Sequence, residues 1–183
     1  LQLGDETSID LAEKIMTATK AAMGNAYPAS NGDDVVQTLF ELKRLGRKTK
    51  AGFYEYDKKG KRTGLWKGLG DHFELMEYQP DLEEVQHRLI LAQVLEAVRS
   101  LEEGVLEDIR EGDVGAILGW GFMPWSGGPF AWLDIIGTAK AVEICDTLQA
   151  KHGDRFAAPA LLAEMGKKGE SFYGRFGAAS KAA

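Results

Sequence analysis

The chain has 183 residues, with 22 Lys plus Arg against 28 Asp plus Glu, three His and one Cys, giving a net charge of −6 and a pI near 5.2. That length suits one domain or two small ones with a core that needs no covalent staple. The acidic balance argues against non-specific nucleic-acid binding, which needs positive surface to displace counterions. The lone Cys145 cannot form an internal disulfide and reads as a reduced, cytoplasmic-type residue, core filler before reagent. The longest uncharged stretch, Val114–Leu133, is broken by two prolines and a series of glycines, so no continuous spanning helix fits there. A start at Leu1 rather than Met suggests a piece of something longer.

In chain order, Ser8 is placed to cap a helix whose apolar positions Leu11, Ile15, Ala18 and Ala22 share one face, with Gly24 as its stop. A second helix opens near Asp33 and Asp34, buries Val36, Leu39 and Phe40, and stops at Gly46. The aromatic, alternating run 52–57 (GFYEYD), followed by a Lys59–Gly60 turn, is the one strand-like passage. A boundary is expected at Tyr78–Pro80, dividing a first unit, 1–78, from a second, 79–183. Asp81 starts the longest helix, which runs to Glu103 and stops at Gly104. Its segment Leu89–Val98 is apolar nearly all round and is expected in the middle of the fold. Two more helices follow, Thr138–His152 ended by Gly153, and Pro159–Met165 ended by Gly166. The fold is therefore expected to be all-α, with at most a short strand-like segment near 52–57.

An internal repeat runs through this pattern. An offset of 129 carries Asp5 to Asp134, Ile15 to Ile144, Gly24 to Gly153, Asn25 to Asp154 and Tyr27 to Phe156. After nine extra residues in the first copy, Leu42, Leu45, Gly46 and Lys48 map to Leu162, Met165, Gly166 and Lys168. Phe53-Tyr54 then answers Phe172-Tyr173. The second copy also holds a leading segment, 81–130, without a counterpart in the first.

No complete catalytic constellation is present. Gly119–Pro124 has two glycines of a dinucleotide-binding turn, but Pro124 stands where the third belongs and a helical pattern precedes it, where a strand is needed. His72, His87 and His152 lack partners at metal-ligand spacing, so no metal site is expected. Three features remain. The stretch Arg44–Lys67 carries nine cationic residues against Glu55 and Asp57, a local +7, while the rest of the chain carries −13. It reads as a solvated turn region before it reads as a surface for a phosphate-bearing ligand or acidic partner, for which Arg47, Lys48 and Lys50 are the candidates. Glu96 interrupts the apolar run of the long helix and is expected to pair with Arg99 or Arg88 and to have no catalytic role. Trp120, Phe122, Trp125, Phe130 and Trp132 crowd a Gly127-Gly128-Pro129 turn, and core packing outweighs an acyl channel there.

The run 45–57 (LGRKTKAGFYEYD) resembles the signature closing the first C-terminal repeat of 3-hydroxyacyl-CoA dehydrogenases. The runs 97–105 (AVRSLEEGV), 113–115 (DVG) and 121–130 (GFMPWSGGPF) resemble the second repeat in the multifunctional fatty-acid oxidation α-subunits, which join enoyl-CoA hydratase to 3-hydroxyacyl-CoA dehydrogenase. The resemblance implies two homologous all-α repeats of the 6-phosphogluconate dehydrogenase C-terminal-like type, the first of them truncated. It implies NAD-dependent oxidation of 3-hydroxyacyl-CoA in β-oxidation, with this chain closing the acyl-CoA cleft and supporting assembly. NAD and the catalytic His–Glu pair would belong to an N-terminal NAD-binding domain, so no catalytic residue is expected here and the fragment alone should be inactive. A substrate-contacting Asn of the family lies on a first-repeat helix that has no counterpart here, and His87-Arg88 occupies the matching place in the second repeat. Some family members carry a substrate-contacting Tyr where Leu118 stands, which leaves only an apolar contact from Leu118, with Trp120 and Phe122 beside it. Acyl-CoA, the NAD-binding domain, a hydratase domain, a thiolase subunit and self-association of the fragment are the implied partners. A stand-alone helical interaction module of the same ancestry, using Arg44–Lys67 to bind a protein, is the alternative.

Overall fold

The structure is a computed structural model that describes residues 1–74, 77 and 79–177. Tyr78, at the expected boundary, lies outside the described residues. Two compact units are present, Leu1–Tyr78 and Gln79–Ala183.

The first unit opens with α1 (Gln2–Thr7) and α2 (Ile9–Met23), the latter ending at Gly24. Ser8 sits at the start of α2 as expected but does not cap it. Its φ of 81° turns the side chain away from the helix amides, and Oγ donates to the Leu45 carbonyl at 3.0 Å. Helix α3 (Asn31–Glu41) buries Leu39, with Val36 and Phe40 half-buried, and ends at Leu42, before Gly46. Ile9 is the buried anchor of α2, whereas Leu11 and Ile15 stand exposed, so the expected buried stripe of that helix is largely uncovered.

The strand-like run forms β1 (Tyr54–Tyr56), which pairs antiparallel with β2 (Arg62–Leu65). The second strand was not legible because Arg62-Thr63-Gly64-Leu65 is polar, contains a glycine and is mostly exposed. Between them Asp57 Oδ1 accepts the amides of Lys59 and Lys61 at 2.8 and 2.9 Å, which closes the turn. A single helical turn, α4 (Leu69–His72), follows.

The second unit begins with α5 (Leu82–Glu102), capped by Asp81 Oδ1 on the Glu83 amide at 2.9 Å. Leu91, Val94, Leu95 and Val98 are fully buried at i, i+3, i+4 and i+7. Leu89, in contrast, is 64% exposed, so the helix is amphipathic and not apolar all round. Helix α6 (Ile109–Trp120) is capped by Asp108 on the Arg110 amide at 2.9 Å. Then come α7 (Pro129–Ile136), α8 (Thr138–His152), α9 (Ala160–Lys168) and α10 (Phe172–Phe176). Helix α5 packs on α7, α8 and α9, and the core gathers Ile109, Phe130, Leu133, Cys145, Leu162 and Met165 around it. Phe130 and Phe172 meet with ring centroids 5.2 Å apart. Burial pushes the Cys145 thiol up to about 11, in keeping with a core residue.

Helix α9 runs through Gly166 and stops at Gly169. Gly166 serves the helix pair: a Cβ there would lie 3.0 Å from Val142 and 3.2 Å from the Thr138 carbonyl, so its bareness lets α8 and α9 approach closely. Ten α-helices and one two-stranded hairpin make the described residues a mostly helical structure.

Candidate functional site

Three carboxylates are built into the repeat. In the first unit Asp5, buried on α1, accepts from the amides of Phe53 and Tyr54 at 2.8 and 3.1 Å and from the Tyr56 hydroxyl at 2.9 Å. In the second, Asp134 on α7 accepts from the amides of Phe172 and Tyr173 at 2.6 and 2.9 Å. The offset that relates Asp5 to Asp134 and Phe53-Tyr54 to Phe172-Tyr173 thus marks one bonding device used twice. Its sequence signal was visible in the paired positions, but its chemistry was not read from them.

The third carboxylate, Asp113 on α6, is buried and reaches the N-terminus of the next helix. It accepts from the amides of Phe130 and Ala131 at 2.7 and 3.1 Å and from the Tyr173 hydroxyl at 2.8 Å. Helix α7 needs this help because its own N-cap is Gly128. With φ at 119° and no room for a Cβ, which would overlap the Asp113 side chain, that position cannot carry a capping hydroxyl or carboxylate. Burial raises the Asp113 pKa against the lowering effect of its three donors, and Asp134 nearby adds to the rise. Burial, and then the hydrogen bond to Asp113, push Tyr173 up to about 12. Asp5 ties α1 to the segment of the first strand, and Asp113 and Asp134 tie together helices of the second unit.

The expected substrate-side residues cluster at the end of α6. Gly121 turns the chain in the left-handed region, φ 77°, and directs Phe122 inward, where it is buried. Trp120 is exposed, and its indole Nε1 donates to Gln93 Oε1 on α5 at 3.0 Å. A groove of about 270 Å³ opens beside this bond, with Leu89, Ile90, Phe122 and Met123 as its apolar wall and Gln86 and Gln93 as its polar groups. Leu118 is exposed and does not line it, and Trp125 is exposed on the turn Pro124–Ser126, whereas Phe130 and Trp132 belong to the core. Leu89 and the two glutamines are the lining residues the sequence did not single out.

Three of the nine cations in the basic segment are held in ion pairs. Arg47 pairs with Glu6 at 3.1 Å, Lys48 with Asp10 at 2.5 Å, and Lys50 donates to the Lys58 carbonyl at 2.6 Å. Arg44 pairs with Glu55 at 2.9 Å and lies over the Trp66 ring at 4.0 Å. Lys48 holds the Asp10 carboxyl down to about 2. Glu96 is an exposed carboxylate, not a buried one, and it pairs with Arg99 at 3.1 Å as expected. A histidine–carboxylate contact that the sequence did not announce joins His152 Nε2 to Glu84 Oε1 at 2.9 Å, with Lys151 on the same carboxylate at 2.7 Å. It ties the end of α8 to the start of α5.

Among the described residues no set of His, Cys, Asp and Glu is placed to hold a metal ion, and no helix is long and apolar enough to cross a membrane. Among the described residues the hairpin is the only sheet, and Gly119–Gly121 lies at a helix end with no strand before it.

Comparison with known proteins agrees with this arrangement. Residues 1–56 match the family described as 3-hydroxyacyl-CoA dehydrogenase, C-terminal domain. The chain is 38% identical over 178 residues to the fatty acid oxidation complex subunit alpha of Shewanella amazonensis, covering 94% of this chain and 24% of that protein. It also resembles the crystal structure of the dehydrogenase part of multifunctional enzyme 1 from C. elegans, with 26% identity and a TM-score of 0.58, covering 89% of this chain and 37% of that one. The chain spans about a quarter of the length of the Shewanella relative. From its first repeat signature to its whole-chain relatives, the protein resembles the C-terminal domain of the 3-hydroxyacyl-CoA dehydrogenases found in fatty-acid oxidation α-subunits.

Proposed function

We propose that the chain works as the C-terminal helical portion of an NAD-dependent L-3-hydroxyacyl-CoA dehydrogenase that converts 3-hydroxyacyl-CoA to 3-oxoacyl-CoA in bacterial fatty-acid β-oxidation. The observation that carries this reading is the 38% identity to a fatty acid oxidation α-subunit across 94% of the chain. In it, the units 1–78 and 79–183 are the two helical repeats. The dinucleotide and the His–Glu pair that moves the hydroxyl proton belong to a separate NAD-binding domain, a reading supported by the place of Gly119–Gly121 at the end of α6 with no strand before it.

The contribution of this chain is then to bind and exclude. The groove wall of Leu89, Ile90, Phe122 and Met123 supplies apolar surface for an acyl chain, and Trp120, fixed by Gln93, supplies a flat ring at its edge. Leu118 adds an apolar contact from outside the groove. Any phosphate-binding role of Arg47, Lys48 and Lys50 requires exchange of their present partners for the CoA phosphates, so it is weak and salt-sensitive. A hydratase domain and a thiolase subunit are the further partners this reading implies, with a cytoplasmic setting.

The test is calorimetric titration of the 183-residue chain with NAD, alongside an absorbance assay for NADH on a 3-hydroxyacyl-CoA. The chain alone is expected to give neither saturable heat nor turnover, and joining it to its NAD-binding domain should give both. Saturable NAD binding or turnover by the chain alone would overturn the assignment.

A further inference from the structure

The chain contains two asparagines, Asn25 and Asn31, and only Asn31 is followed by a glycine. Asn31 and Gly32 begin α3, and both are exposed. This helix end is uncapped. Ser30 stands at the N-cap, but its hydroxyl donates to Asp33 Oδ1 at 3.3 Å and accepts from none of the helix amides. The Asp33 amide donates to the Ser30 carbonyl at 2.9 Å, whereas the amides of Asn31 and Gly32 have no acceptor among the described residues. The Asn31 carboxamide likewise makes no hydrogen bond among them. Space beside Gly32 is open as well: outside the helix backbone, a Cβ there would meet only the Ser30 hydroxyl, at 3.3 Å.

We infer that Asn31-Gly32 is a site of spontaneous deamidation, and that its isoaspartyl product unties the start of α3. The nucleophile is the Gly32 backbone nitrogen, whose proton passes to hydroxide or a buffer base. It bonds to Asn31 Cγ, the Cγ–Nδ2 bond breaks, and ammonia leaves with a proton taken from water. The cyclic imide so formed then takes up one water. Cleavage of its new bond, at Cγ, gives an aspartate; cleavage of the original peptide bond, at the main-chain carbonyl carbon, gives an isoaspartate. Helical backbone holds the Gly32 nitrogen away from Cγ, so the reaction proceeds from a frayed first turn, which opens readily at an uncapped end. Glycine then reaches the attacking conformation without a Cβ in the way. Asn25 is exposed too, but the methyl of Ala26 hinders the same approach.

The two products act differently on the helix. An aspartate leaves the main chain unchanged and places a negative charge where the helix dipole favours one. An isoaspartate routes the main chain through Cβ and Cγ and so adds one methylene before Gly32. The Asp33 amide then falls out of register with the Ser30 carbonyl. Asp33 also shifts against Lys20, with which it pairs at 2.9 Å. That ion pair joins the start of α3 to the last turn of α2, where Lys20 also lies over the Tyr27 ring at 5.2 Å. Leu39, buried farther along α3, keeps the remainder of the helix seated. The modification needs no ligand or enzyme and stands apart from the enzymatic reading.

The experiment ages the 183-residue chain in mildly alkaline and mildly acidic buffer and follows it by mass spectrometry. Trypsin releases residues 21–43, which hold both asparagines, and electron-transfer fragmentation separates aspartate from isoaspartate. Replacement of NH2 by OH should appear at Asn31 at least about tenfold faster than at Asn25, and faster in the alkaline buffer. Gly32→Ala should slow it at least about tenfold. Ser30→Asp, which supplies a capping acceptor and leaves Gly32 in place, should also slow it. Hydrogen exchange of the aged chain should show lost protection in residues 31–36 and unchanged protection in α8, whereas aged Gly32→Ala keeps both. The inference is overturned by conversion at Asn31 no faster than at Asn25, by a rate indifferent to Gly32→Ala or to Ser30→Asp, or by an isoaspartyl chain whose α3 stays as protected as before.

Discussion

Replacing Asp113 by alanine tests how the second unit is held together. The change strips three donors of their acceptor, the amides of Phe130 and Ala131 and the hydroxyl of Tyr173. Loss of an N-terminal cap costs about 1 kcal/mol, and a hydrogen bond to a charged group contributes about 1.5–3 kcal/mol. Simple addition overstates the effect, because burial raises the Asp113 pKa: the ionised carboxylate is held against a dehydration cost that its donors do not fully offset. A net loss of about 3 kcal/mol is expected. Asp113→Asn keeps one acceptor and removes the charge, so it should cost only about 1–2 kcal/mol. The assay is urea unfolding followed by tryptophan emission, with buried Trp132 on α7 as the reporter of this unit. At a slope of about 2 kcal/mol per molar the alanine variant should move the midpoint down by about 1.5 M. The sign of the pH effect follows from the raised pKa. The stability associated with Asp113 is fully present below the unfolded value of 3.8 and is lost as pH rises through the folded value. The penalty of the Asn variant should therefore shrink as pH rises through that interval. A loss below about 0.5 kcal/mol for Ala, or an Asn variant as damaging as Ala, would refute the reasoning.

Other perturbations separate the parts of the structure. Leu95→Ala, at a fully buried site on α5, should cost about 2–5 kcal/mol in chemical denaturation, whereas Leu89→Ala, on the exposed side, should stay within about 0.5 kcal/mol. Gly166→Leu should destabilise the second unit and lower its thermal midpoint, because the added side chain must part α8 from α9; an unchanged midpoint would show that the helices have room. Glu84 is held below its ordinary value of 4.5, first by Lys151 and then by His152. The stability it contributes is present above that value and is lost as pH falls through the depressed one, so Glu84→Gln should flatten the melting temperature against pH on the acid side.

Most of the long helices were legible because glycine and proline punctuate them. The helix Thr138–His152 has the bounds its periodicity and Gly153 indicate, and α5 begins at the Asp81 cap. Reading failed where a residue serves a neighbour in space and not its own segment. Gly166 marks close helix contact, not a helix end, and Gly128 is bare because the Asp113 side chain occupies its surroundings. Helix α7 was hidden behind the turn signal of Gly127-Gly128-Pro129. Leu89 was grouped with the buried run because its neighbours in sequence are apolar, although it falls outside the 91, 94, 95, 98 stripe. At the candidate site, Trp120 and Phe122 could be named from the aromatic cluster, but the groove also needs Leu89, Gln86 and Gln93 from a helix about thirty residues earlier in the chain. The clamp of Asp5 and Asp134 was present as matched letters, and only the three-dimensional arrangement turns those letters into hydrogen bonds.

The proposed role is tested most directly by transplantation. In the Shewanella amazonensis α-subunit, the segment that aligns with this chain is replaced by residues 1–177, and NADH formation on a 3-hydroxyacyl-CoA is measured against the intact subunit and one lacking the segment. The account predicts that the folded chimera oxidises the substrate where the shortened subunit does not. A folded chimera that binds NAD yet remains as inactive as the shortened subunit would contradict it.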